Sequence, residues 1–599
     1  MVDANKKALP VGISDFAKLI DGGYYYVDKT SFLKELFDNS SDKCEVRLIT
    51  RPRRFGKSLI LSTIKYFLGL NLKDPDDRSY AQKLFCNLQI MRDQDFCARF
   101  LGRFPVIFLS FKDVFAEDFA SACGALASRI SMLCEDFNFL SESPKLSASF
   151  KQKFCQMLDD EKMAADPTHL RLCNSLQLLV RLLHLHFGKK PVLLIDEYDV
   201  PLSKAARCGY YDQMAEIMRR LLSSSLKDNE DLQSAVLTGC LRVSEVSIFT
   251  GLNNLKVNSL SSENSPISGM IGFSHAECEE MLRYYGLSQY SLLVSRWYDG
   301  YNVGGCKLFC PWDLMLFCQE AVQNQQGQMV PRSFWLGTGS TDELLEFMGY
   351  LEPRDCELMQ DLLDGKSIEI ELNEQLNYQD ILCFHRSRDF WTLLLSTGYL
   401  TVVSLLDGDD LQRRCLVHIP NLGITECFRR SIVFYFGNDA KIRSDSQNIV
   451  RQLLLGEDPQ SIKLELRKIL KRFVSVLDLA AKAPPELYYQ GFMNGLFSNS
   501  ANCLDDFASN VEAGDGYADA ILRSADLDTG VILEYKSVNA PCLLDKMSDQ
   551  ALKQIDEKRY AEFFLKSGSI PKNILGYGIA FCRKECSVSM ARLDPLKLL

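Results

Sequence analysis

The sequence predicts an α/β protein with more than one domain, and three observations support this prediction. An apolar run rich in β-formers precedes the triplet Gly56-Lys57-Ser58, and a segment with helical spacing follows it. A second apolar run ends in the acidic pair Asp196-Glu197. The segments that follow residue 485 have helix, strand, strand, strand, helix and strand character in that order. Strands and helices that alternate in this way are typical of sheets covered by helices.

Length and composition limit the class of protein. The chain has 599 residues, more than one hydrophobic core usually holds, so we expect roughly two to four domains. It is 47% hydrophobic and 24% charged, the balance of an ordinary soluble globular protein. No apolar stretch of secretory length begins the chain, and the most apolar segment, 390–406, is interrupted by Ser, Thr and Gly. Because a membrane span needs about 20 apolar residues, we expect strands or a buried helix there, and a cytoplasmic protein without a membrane partner.

The charge of the chain argues against a protein that coats nucleic acid. The formal net charge is −10 and the pI is about 5.4, whereas nucleic-acid-coating proteins usually carry a basic surface. Any contact with DNA or RNA should therefore be confined to a cleft. The basic segment 462–473 has apolar residues spaced for one helical face, so its Lys and Arg side chains are expected to face solvent.

The cysteines and histidines do not indicate a structural metal site. The 21 cysteines are best explained as reduced, mostly buried thiols, because no export signal accompanies them. No C-x-x-C pair occurs and only six histidines are present, so we expect no structural zinc. His184 and His186 stand two positions apart in a helical segment, where their side chains would point apart, and ordinary packing is their expected role.

The first motif is the triplet at 56–58. Its position between a strand-like run and a helix is the context of the phosphate-binding loop G-x-x-x-x-G-K-[ST]. In such a loop, backbone amides and the helix N-terminus surround phosphate oxygens. Lys57 would reach the β- and γ-phosphates, and Ser58 would ligate Mg²⁺. This predicts that the loop binds a nucleotide.

The loop departs from the pattern at its first glycine, where Arg51 stands, followed by Pro52, Arg53 and Arg54. Glycine supplies a backbone conformation that costs other residues energy, so this loop must turn differently. The arginines could contact phosphates or nearby acids, or could face solvent. The sequence leaves these alternatives open.

The second motif is the run KKPVLLIDEYDVPL at 189–202, which resembles a Walker B strand: buried along its length, with carboxylates at its carboxyl end. Asp196 would hold Mg²⁺, and Glu197 would orient or deprotonate the attacking water. The alternative is a buried strand that happens to end in acids.

Further strands and a cation extend this prediction. The runs at 104–111 and 234–239 predict more parallel strands, and Thr238, at the end of the second, would lie near the γ-phosphate. Arg242 follows and could act as an arginine finger or sensor, or could pair with Glu245. Together these features predict a P-loop NTPase parallel-sheet domain with ATP and Mg²⁺ as cofactors.

The N-terminal half resembles the bacterial AAA-ATPase-like family, whose members carry the same R-P-R-R-F-G-K-S loop. The matching phrases are LPVGISDFAKLI (9–20), YYVDKTSFLKELF (25–37), TRPRRFGKSL (50–59), LLIDEYDVPL (193–202) and VLTGCLRVSEVSIFTGLNNL (236–255). The phrases GFSHAECEEML, RWYDGYNVGG, CPWDLMLF, FWLGTGS, STGYLTV and IPNLGI continue the match in family order. The resemblance implies a bacterial protein in which the nucleotide is bound by Arg54, Phe55, Gly56, Lys57, Ser58, Asp196, Thr238 and Arg242.

The resemblance also implies a role for Asp28 and Lys29, which precede the first predicted strand. They would help to fix the loop or the nucleotide. A capped helix start, with Asp28 or Thr30 as the N-cap, is an equally open alternative. The region from 270 to 440 lacks a repeat or chemical motif, and we expect a mainly helical middle or lid region whose aromatics form its core.

The segments after residue 485 predict a second α/β domain. Helices are expected at 485–497 and 543–566, and strands at 507–513, 517–524, 530–537, 573–582 and 587–593. Glu534 and Lys536 would leave one face of a strand about 6.6 Å apart, and strand pairing can bring Asp519 beside Glu534. With the Tyr535 carbonyl, these carboxylates form an all-oxygen set suited to Mg²⁺, which Glu512 could complete. The cation would activate water, and Lys536 would position that water or stabilise developing charge.

This element order, with Asp on the second strand and Glu-x-Lys on the third, resembles the PD-(D/E)XK nuclease core, a restriction-endonuclease-like α/β fold. The AAA-ATPase-like family commonly carries such a domain, with phrases that stand here as GDGYAD, EYK and QIDEKRY. The resemblance implies that Gln554 is a polar support. Relatives often have Arg at the position of Tyr517 and His at the position of Gln490. These departures leave the metal ligands unchanged but affect what the resemblance implies about phosphate contacts and substrate. Exposed charges on an ordinary strand are the alternative.

These observations predict four regions and one main function. The regions are an ATPase domain at 1–265, a helical middle region at 266–440, a helical linker at 441–484 and a nuclease-like domain at 485–599. We expect an ATP-binding and ATP-hydrolysing enzyme coupled to a Mg²⁺-dependent nuclease domain, with nucleotide-gated cleavage of DNA or RNA. Its catalytic residues would be Glu197, Asp519, Glu534 and Lys536, and its metal ligands Ser58, Asp196, Glu512, Asp519 and Glu534. The alternative is a nucleotide-dependent switch with a vestigial nuclease fold, which uses both outer modules to bind protein partners or a second copy of the chain.

Overall fold

The computed structural model describes most of the chain. The described residues are 6–38, 45–241, 249, 254–260, 265–324, 329–335, 353–363, 365–373, 376, 386–406, 413–428, 440–473, 486–498, 500, 503–526, 528–566 and 570–593. The chain divides into two compact units, the first of Met1–Phe334 and Ser367–Ile424 and the second of Trp335–Lys366 and Thr425–Leu599. This division into two units does not test the four predicted regions, so their boundaries at 265, 440 and 484 stay a prediction.

A five-stranded sheet with the order β2-β3-β4-β1-β5 forms the centre of the first unit. All of its neighbouring strands are parallel. The strands are β1 (Val46–Thr50), β2 (Val106–Ser110), β3 (Val192–Asp196), β4 (Ser234–Gly239) and β5 (Leu255–Asn258). β3 is buried at every position, as expected of an apolar strand covered on both faces. The predicted α/β fold with a parallel sheet is confirmed.

The order of the strands positions the residues that the sequence singled out. β4 lies between β1 and β3, with Thr238 beside Ile49 on one side and Leu237 beside Ile195 on the other. Parallel strands end at the same edge of a sheet. The loop after β1, Thr238 of β4 and Asp196 of β3 therefore lie along one edge.

Helices surround this sheet and fill the middle of the chain. Those of the first unit are Phe16–Asp21, Phe32–Phe37, Lys57–Leu68, Ser79–Phe85, Gln94–Phe100, Phe119–Glu135, Ala148–Met157, Asp160–Ala164, Leu170–Phe187, Val200–Cys208, Tyr211–Leu226, His275–Tyr285, Ser291–Tyr298, Pro311–Gln323 and Ser387–Thr397. His184 and His186 contact Asp231 and Ser143, respectively, each at 2.7 Å, so their side chains point apart as expected.

The middle of the chain also contains short antiparallel strands. β6 (Tyr301–Val303) pairs with β7 (Cys306–Leu308). β8 (Ile368–Glu371), β9 (Thr401–Leu406) and β10 (Arg414–His418) form a sheet of order β8-β10-β9. The apolar segment 390–406 contains both expected structures, since a helix ends at Gly398, which has φ +94°, and β9 follows.

The second unit is built on a mixed five-stranded sheet of order β11-β12-β13-β14-β15. Its strands are β11 (Leu504–Ala513), β12 (Gly516–Ser524), β13 (Thr529–Ser537), β14 (Asn573–Cys582) and β15 (Glu585–Leu593). β13 and β14 are parallel, and the other neighbours are antiparallel. The helices of this unit are Pro353–Leu363, Ala440–Leu455, Pro459–Phe473, Glu486–Ser498, Leu544–Glu557 and Phe563–Lys566.

The two faces of this sheet carry different helices. Leu533 and Tyr535 belong to a core that includes the helix Glu486–Ser498 and buried residues of the basic helix Pro459–Phe473. Ile532 belongs to a second core with Ile555 of the helix Leu544–Glu557. Because strand side chains alternate, Glu534 and Lys536 leave β13 on the same face as Ile532.

The single helix predicted at 543–566 is wrong in its second half. The helix ends at Glu557, a 3₁₀ turn covers Tyr560–Glu562, and a short helix Phe563–Lys566 follows. The break lies at Arg559, whose φ of +59° is left-handed and cannot continue an α-helix. Apolar spacing did not reveal this single backbone conformation.

In the parts of the chain that the structure describes, no helix is both long enough and apolar enough to span a membrane. The cysteines of these parts are free thiols, most of them buried or half-buried.

Candidate functional sites

The loop between β1 and the helix Lys57–Leu68 turns through two residues with positive φ. These are Arg54, at +71°, and Gly56, at +93°. A Cβ at Gly56 would meet no atom within 4 Å, so glycine is favoured there by the backbone conformation alone. The loop therefore makes its left-handed turn at a different place from the usual first glycine.

The ammonium group of Lys57 is held beneath this loop. Its Nζ donates to the carbonyl oxygens of Arg51 at 2.8 Å and Pro52 at 2.9 Å, and lies 3.5 Å from Sγ of Cys240. The side chain is buried. A phosphate that binds Lys57 must therefore compete with two carbonyls of the same loop.

Arg51 fills the first position of the motif with a structural contact. Its side chain is fully buried, and it donates to the carbonyls of Thr50 at 2.8 Å and Asn258 at 3.1 Å. Burial lowers the pKa of Arg51 to about 9, which leaves the guanidinium charged at neutral pH. Arg51 thus ties the end of β1 to the end of β5.

The side chains of Arg54 and Phe55 contact the middle of the chain. The Arg54 guanidinium donates to the carbonyl of Phe334 at 3.0 Å and lies over the Trp312 ring, 5.0 Å from its centre. The Phe55 ring meets Tyr301 edge to face, with centres 4.9 Å apart. The loop is therefore connected to the aromatic residues that the sequence assigned to a core.

The edge of the sheet joins Asp196 to Thr238. The Thr238 hydroxyl donates to Oδ1 of Asp196 at 2.5 Å, and the amide of Glu197 donates to the same atom at 3.1 Å. Glu197 has a left-handed φ of +52°. Burial raises the pKa of Glu197, and the adjacent Asp196 carboxylate raises it further. A carboxylate with a raised pKa at the end of a central strand is suited to accept a proton from water.

Asp199 belongs to the acidic motif at the end of β3, and the sequence predicted no role for it. Its Oδ2 accepts from the amides of Cys240 and Leu241, each at 2.9 Å, and the Tyr198 hydroxyl donates to the Leu241 carbonyl at 2.6 Å. Burial raises the pKa of Asp199. The repeated acid in Asp-Glu-Tyr-Asp was the available signal, and its role is to hold the segment that follows β4.

The two residues before the first strand make local contacts. Asp28 accepts from the amide and hydroxyl of Thr30 at 2.9 and 2.6 Å and from the amide of Gln89 at 2.6 Å. Lys29 pairs with Glu277 at 2.6 Å. The helix Phe32–Phe37 begins after Ser31 without a side-chain cap bond, so the alternative in which Asp28 or Thr30 is its N-cap is wrong. Arg242 and Glu245 lie outside the described residues.

In the second unit, Asp519 bridges two strands where their pairing ends. The regular register of β12 and β13 stops at Ala520 and Leu533. One step further, Oδ2 of Asp519 accepts from the Tyr535 amide at 2.7 Å, in place of a backbone carbonyl. The side chain thereby brings one carboxylate to β13 next to Glu534.

Glu534 lies at the centre of a buried polar group. Its Oε1 accepts from Nζ of Lys536 at 3.0 Å and from the side-chain amide of Gln554. The same Gln554 amide donates to the Tyr560 hydroxyl at 3.2 Å. Glu534 is 3% exposed, so each of these bonds acts in a region of low dielectric.

The remaining predicted residues lie at the border of this group. Gln490 donates to the backbone carbonyl of Asp519 at 3.3 Å and lies 3.5 Å from its Oδ1. Glu512 is exposed on β11, directly opposite Tyr517, which is 62% exposed on β12. Gln490 therefore contacts the Asp519 carboxylate, while Glu512 and Tyr517 face solvent.

The Gly-Asp-Gly turn has a packing role that the sequence did not reveal. Gly514 has φ +51°, and a Cβ there would overlap the carbonyl oxygens of Lys558 and Arg559. The Asp515 amide donates to the Lys558 carbonyl at 2.8 Å. The turn thus packs on the chain just after the helix that contains Gln554. This contact brings together GDGYAD and QIDEKRY, two of the three phrases shared with the family.

The donor atoms beside Glu534 fit a magnesium ion by their chemistry. The carboxylates of Asp519 and Glu534 and the carbonyl of Tyr535 are hard oxygen donors of the kind Mg²⁺ prefers. Among the described residues, no three His, Cys, Asp or Glu side chains are grouped as metal ligands. A metal here would thus depend on two carboxylates, the backbone carbonyl and water.

Two family models match this chain. Residues 10–249 match the AAA-ATPase_like family, described as a predicted AAA-ATPase, and residues 484–590 match the PD-(D/E)XK nuclease superfamily. The chain therefore joins an AAA-ATPase-like domain to a C-terminal domain of the PD-(D/E)XK nuclease superfamily, and the resemblance predicted from the sequence is confirmed.

The likeness to another protein extends over nearly the whole chain. An "uncharacterized protein in vnfD 5′ region" of Azotobacter chroococcum mcd 1 is 24% identical over 593 residues, which cover 98% of each chain. No solved structure matches this chain.

Proposed function

We propose that the N-terminal domain binds and hydrolyses ATP with Mg²⁺, and that its nucleotide state gates phosphodiester cleavage of nucleic acid by the C-terminal domain. The main support is the bond from the Tyr535 amide to Asp519, which gathers Asp519, Glu534 and Lys536 at one point of the sheet. An acid pair can hold a metal ion that assists phosphodiester hydrolysis, and an adjacent ammonium can stabilise the charge that develops.

In the ATPase site, the proposed roles follow the edge of the parallel sheet. Lys57 and the loop amides bind the phosphates, and Ser58 and Asp196 would hold Mg²⁺, which supplies positive charge beside the phosphates when bound. Glu197 accepts the proton of the attacking water, an assignment supported by its raised pKa. Thr238, which donates to Asp196 at 2.5 Å, keeps that carboxylate oriented.

In the nuclease site, Asp519, Glu534 and the Tyr535 carbonyl would hold Mg²⁺, which activates water and shields the phosphate when bound. Lys536 orients the water or stabilises the charge that develops on the phosphate. Gln554 holds Glu534 in place through its side-chain amide. Gln490 supports Asp519 from the helix Glu486–Ser498.

A cleavage screen tests this proposal. The full chain is incubated with Mg²⁺, with and without ATP, on duplex, single-stranded and structured DNA and RNA. The wild type is expected to cut at least one substrate in a manner that depends on ATP, and Asp519→Ala is expected to be inactive. Asp506→Ala, an exposed acid on β11, is the matched control and should cut like the wild type.

A second function is favoured by one observation: the strand at the edge of the nuclease-like sheet exposes Asp505, Asp506 and Glu512 to solvent. Such charges repel a phosphate backbone and suit a protein partner. In this alternative the chain is a nucleotide-dependent interaction switch with a vestigial nuclease fold. Equal inactivity of the wild type and Asp519→Ala on every substrate, with intact ATP hydrolysis, would establish the switch in place of the nuclease.

A further inference from the structure

A cleft with about 520 Å³ of empty space, part of it open to solvent, lies at the carboxyl edge of the parallel sheet in the first unit. Thr50, Cys240 and Ser259, at or just after the ends of β1, β4 and β5, line one part of it. Leu241 and Leu260 continue this part, and the other lining residues follow β8 or lie on the helix Ser387–Thr397. The latter part falls outside residues 10–249, the range of the AAA-ATPase-like match.

The lining indicates which ligands this cleft can accept. Among the described residues that line it, none has a carboxylate, ammonium or guanidinium group. Leucines such as Leu241, Leu260 and Leu395 line it together with hydroxyl and amide groups. Lys57 lies at the border, with its Nζ 3.5 Å from Sγ of Cys240. The combination suits a neutral, partly apolar body with an anionic group at one end.

One polar group of the lining is held in a fixed orientation. The side-chain amide nitrogen of Asn373 donates to Oδ1 of the fully buried Asp389 at 2.6 Å. The Asn373 backbone amide donates to the Thr392 hydroxyl at 2.9 Å, and that hydroxyl donates to the Arg388 carbonyl at 2.7 Å. A side-chain amide fixed in this way can distinguish donors from acceptors on the edge of a planar ring.

We propose that this cleft binds the nucleoside part of the nucleotide whose phosphates Lys57 binds. The leucines contact the faces of the base, and the Asn373 amide contacts its edge. The lining residues of the middle region therefore determine which base is accepted, namely Leu372, Asn373, Leu376, Thr392, Leu395 and Ser396. This inference rests on the proposed ATP-binding function and adds the residues that read the nucleoside.

The test fills the cleft and compares two ligands that share their phosphates. Ser396 is a half-buried helix residue of the lining, and Ser396→Phe occupies the space while retaining a residue that a helix tolerates. Binding of ATP and of inorganic triphosphate to the full chain is measured calorimetrically with Mg²⁺. We expect ATP affinity to fall at least tenfold and triphosphate affinity to stay within twofold of the wild type. Ser223→Phe, on the helix Tyr211–Leu226, is the matched control and should change neither.

A second variant keeps the proposal testable if the filled cleft unfolds the protein. Asn373→Ala is expected to bring the Kd values for ATP and GTP closer together, without a change in triphosphate binding. Unchanged ATP affinity in Ser396→Phe, an equal loss for both ligands, or an unchanged ATP-to-GTP ratio in Asn373→Ala would overturn the cleft assignment. A wild-type chain that binds neither ATP nor triphosphate would instead overturn the proposed function.

Discussion

At the scale of single residues, the phosphate loop uses its cations for different purposes. Arg51 is buried and joins two strand ends, Arg54 stacks on Trp312, and Lys57 is held by loop carbonyls. An ammonium can exchange such neutral acceptors for a phosphate, whose charge makes the new hydrogen bonds stronger. Of Arg51, Arg54 and Lys57, Lys57 is thus the cation best placed to respond to a nucleotide in the proposed site.

The first prediction concerns that response. Lys57→Ala should weaken ATP binding on the order of 100-fold, or about 2.7 kcal/mol, because it removes the ammonium that would face the β- and γ-phosphates. Calorimetric titration with Mg²⁺-ATP measures the change. Lys65→Ala, at the far end of the same helix, is the control and should bind like the wild type. Unchanged affinity in Lys57→Ala would refute the phosphate-loop assignment.

The second prediction concerns Glu197. Glu197→Gln should keep ATP affinity within about threefold but slow hydrolysis on the order of 100-fold, since only proton transfer is lost. In the wild type, burial and the Asp196 carboxylate raise the pKa of Glu197 above its ordinary value of 4.5. We therefore expect hydrolysis to be lost as the pH falls through a value above 4.5. A base acts when deprotonated, so activity is present above that pKa and falls as the pH drops through it. An acid limb that persists unchanged in the residual activity of Glu197→Gln would assign it to another group.

At the scale of elements, two short segments of the second unit depend on each other. The turn at 514–516 can approach the chain at 558–559 only because Gly514 lacks a side chain. The approach also places Tyr560 where Gln554 can reach both its hydroxyl and Glu534. A turn without any chemical group of its own thereby supports the candidate metal ligands.

The third prediction tests this packing. Gly514→Ala should lower the free energy of unfolding of the second unit by about 2–4 kcal/mol, from left-handed strain and from overlap with two backbone carbonyls. Gly456→Ala is the matched control, since Gly456 also has positive φ, at +66°, but its neighbour is the movable Leu575 side chain. The control should lose only about 1–2 kcal/mol. Denaturant unfolding measures both, and equal losses would contradict the packing argument.

At the scale of the whole molecule, two different domains occur on one chain. The AAA-ATPase-like match covers 10–249 and the nuclease-superfamily match covers 484–590. The loop also contacts the middle of the chain, since Arg54 donates to the Phe334 carbonyl, where the chain leaves the first unit. A change in the loop on nucleotide binding would therefore act on the residue before the connection to the second unit.

The fourth prediction concerns the coupling of the two domains. Arg54→Ala should retain ATP hydrolysis within about fivefold but reduce the ATP-dependence of cleavage, because it removes the contact with Phe334. Cleavage rates with and without ATP, measured beside ATPase rates, separate the two effects. Arg53→Ala, the neighbouring loop arginine, serves as the control. Full ATP-dependence in Arg54→Ala would exclude this contact as the route of coupling.

Much of the fold could be predicted because its signals are local. The apolar runs before Gly56 and before Asp196 indicate buried strands, and the spacing of Glu534 and Lys536 places both on one face. Five predicted strands of the second unit appear within a few residues of their expected bounds. These properties depend on a few consecutive residues, so a single sequence contains them.

The sequence alone determined the α/β class, the two motif-bearing domains and the residue types that could carry their chemistry. Only the tertiary structure decided that Arg51 is buried against Asn258, that the Tyr535 amide meets Asp519, and that Arg559 ends the Gln554 helix. It also brought Asn373 and the helix Ser387–Thr397 to the edge of the parallel sheet. The physical reason is that these contacts join residues far apart in the chain, or depend on one backbone conformation, and local hydrophobic spacing carries no information about either.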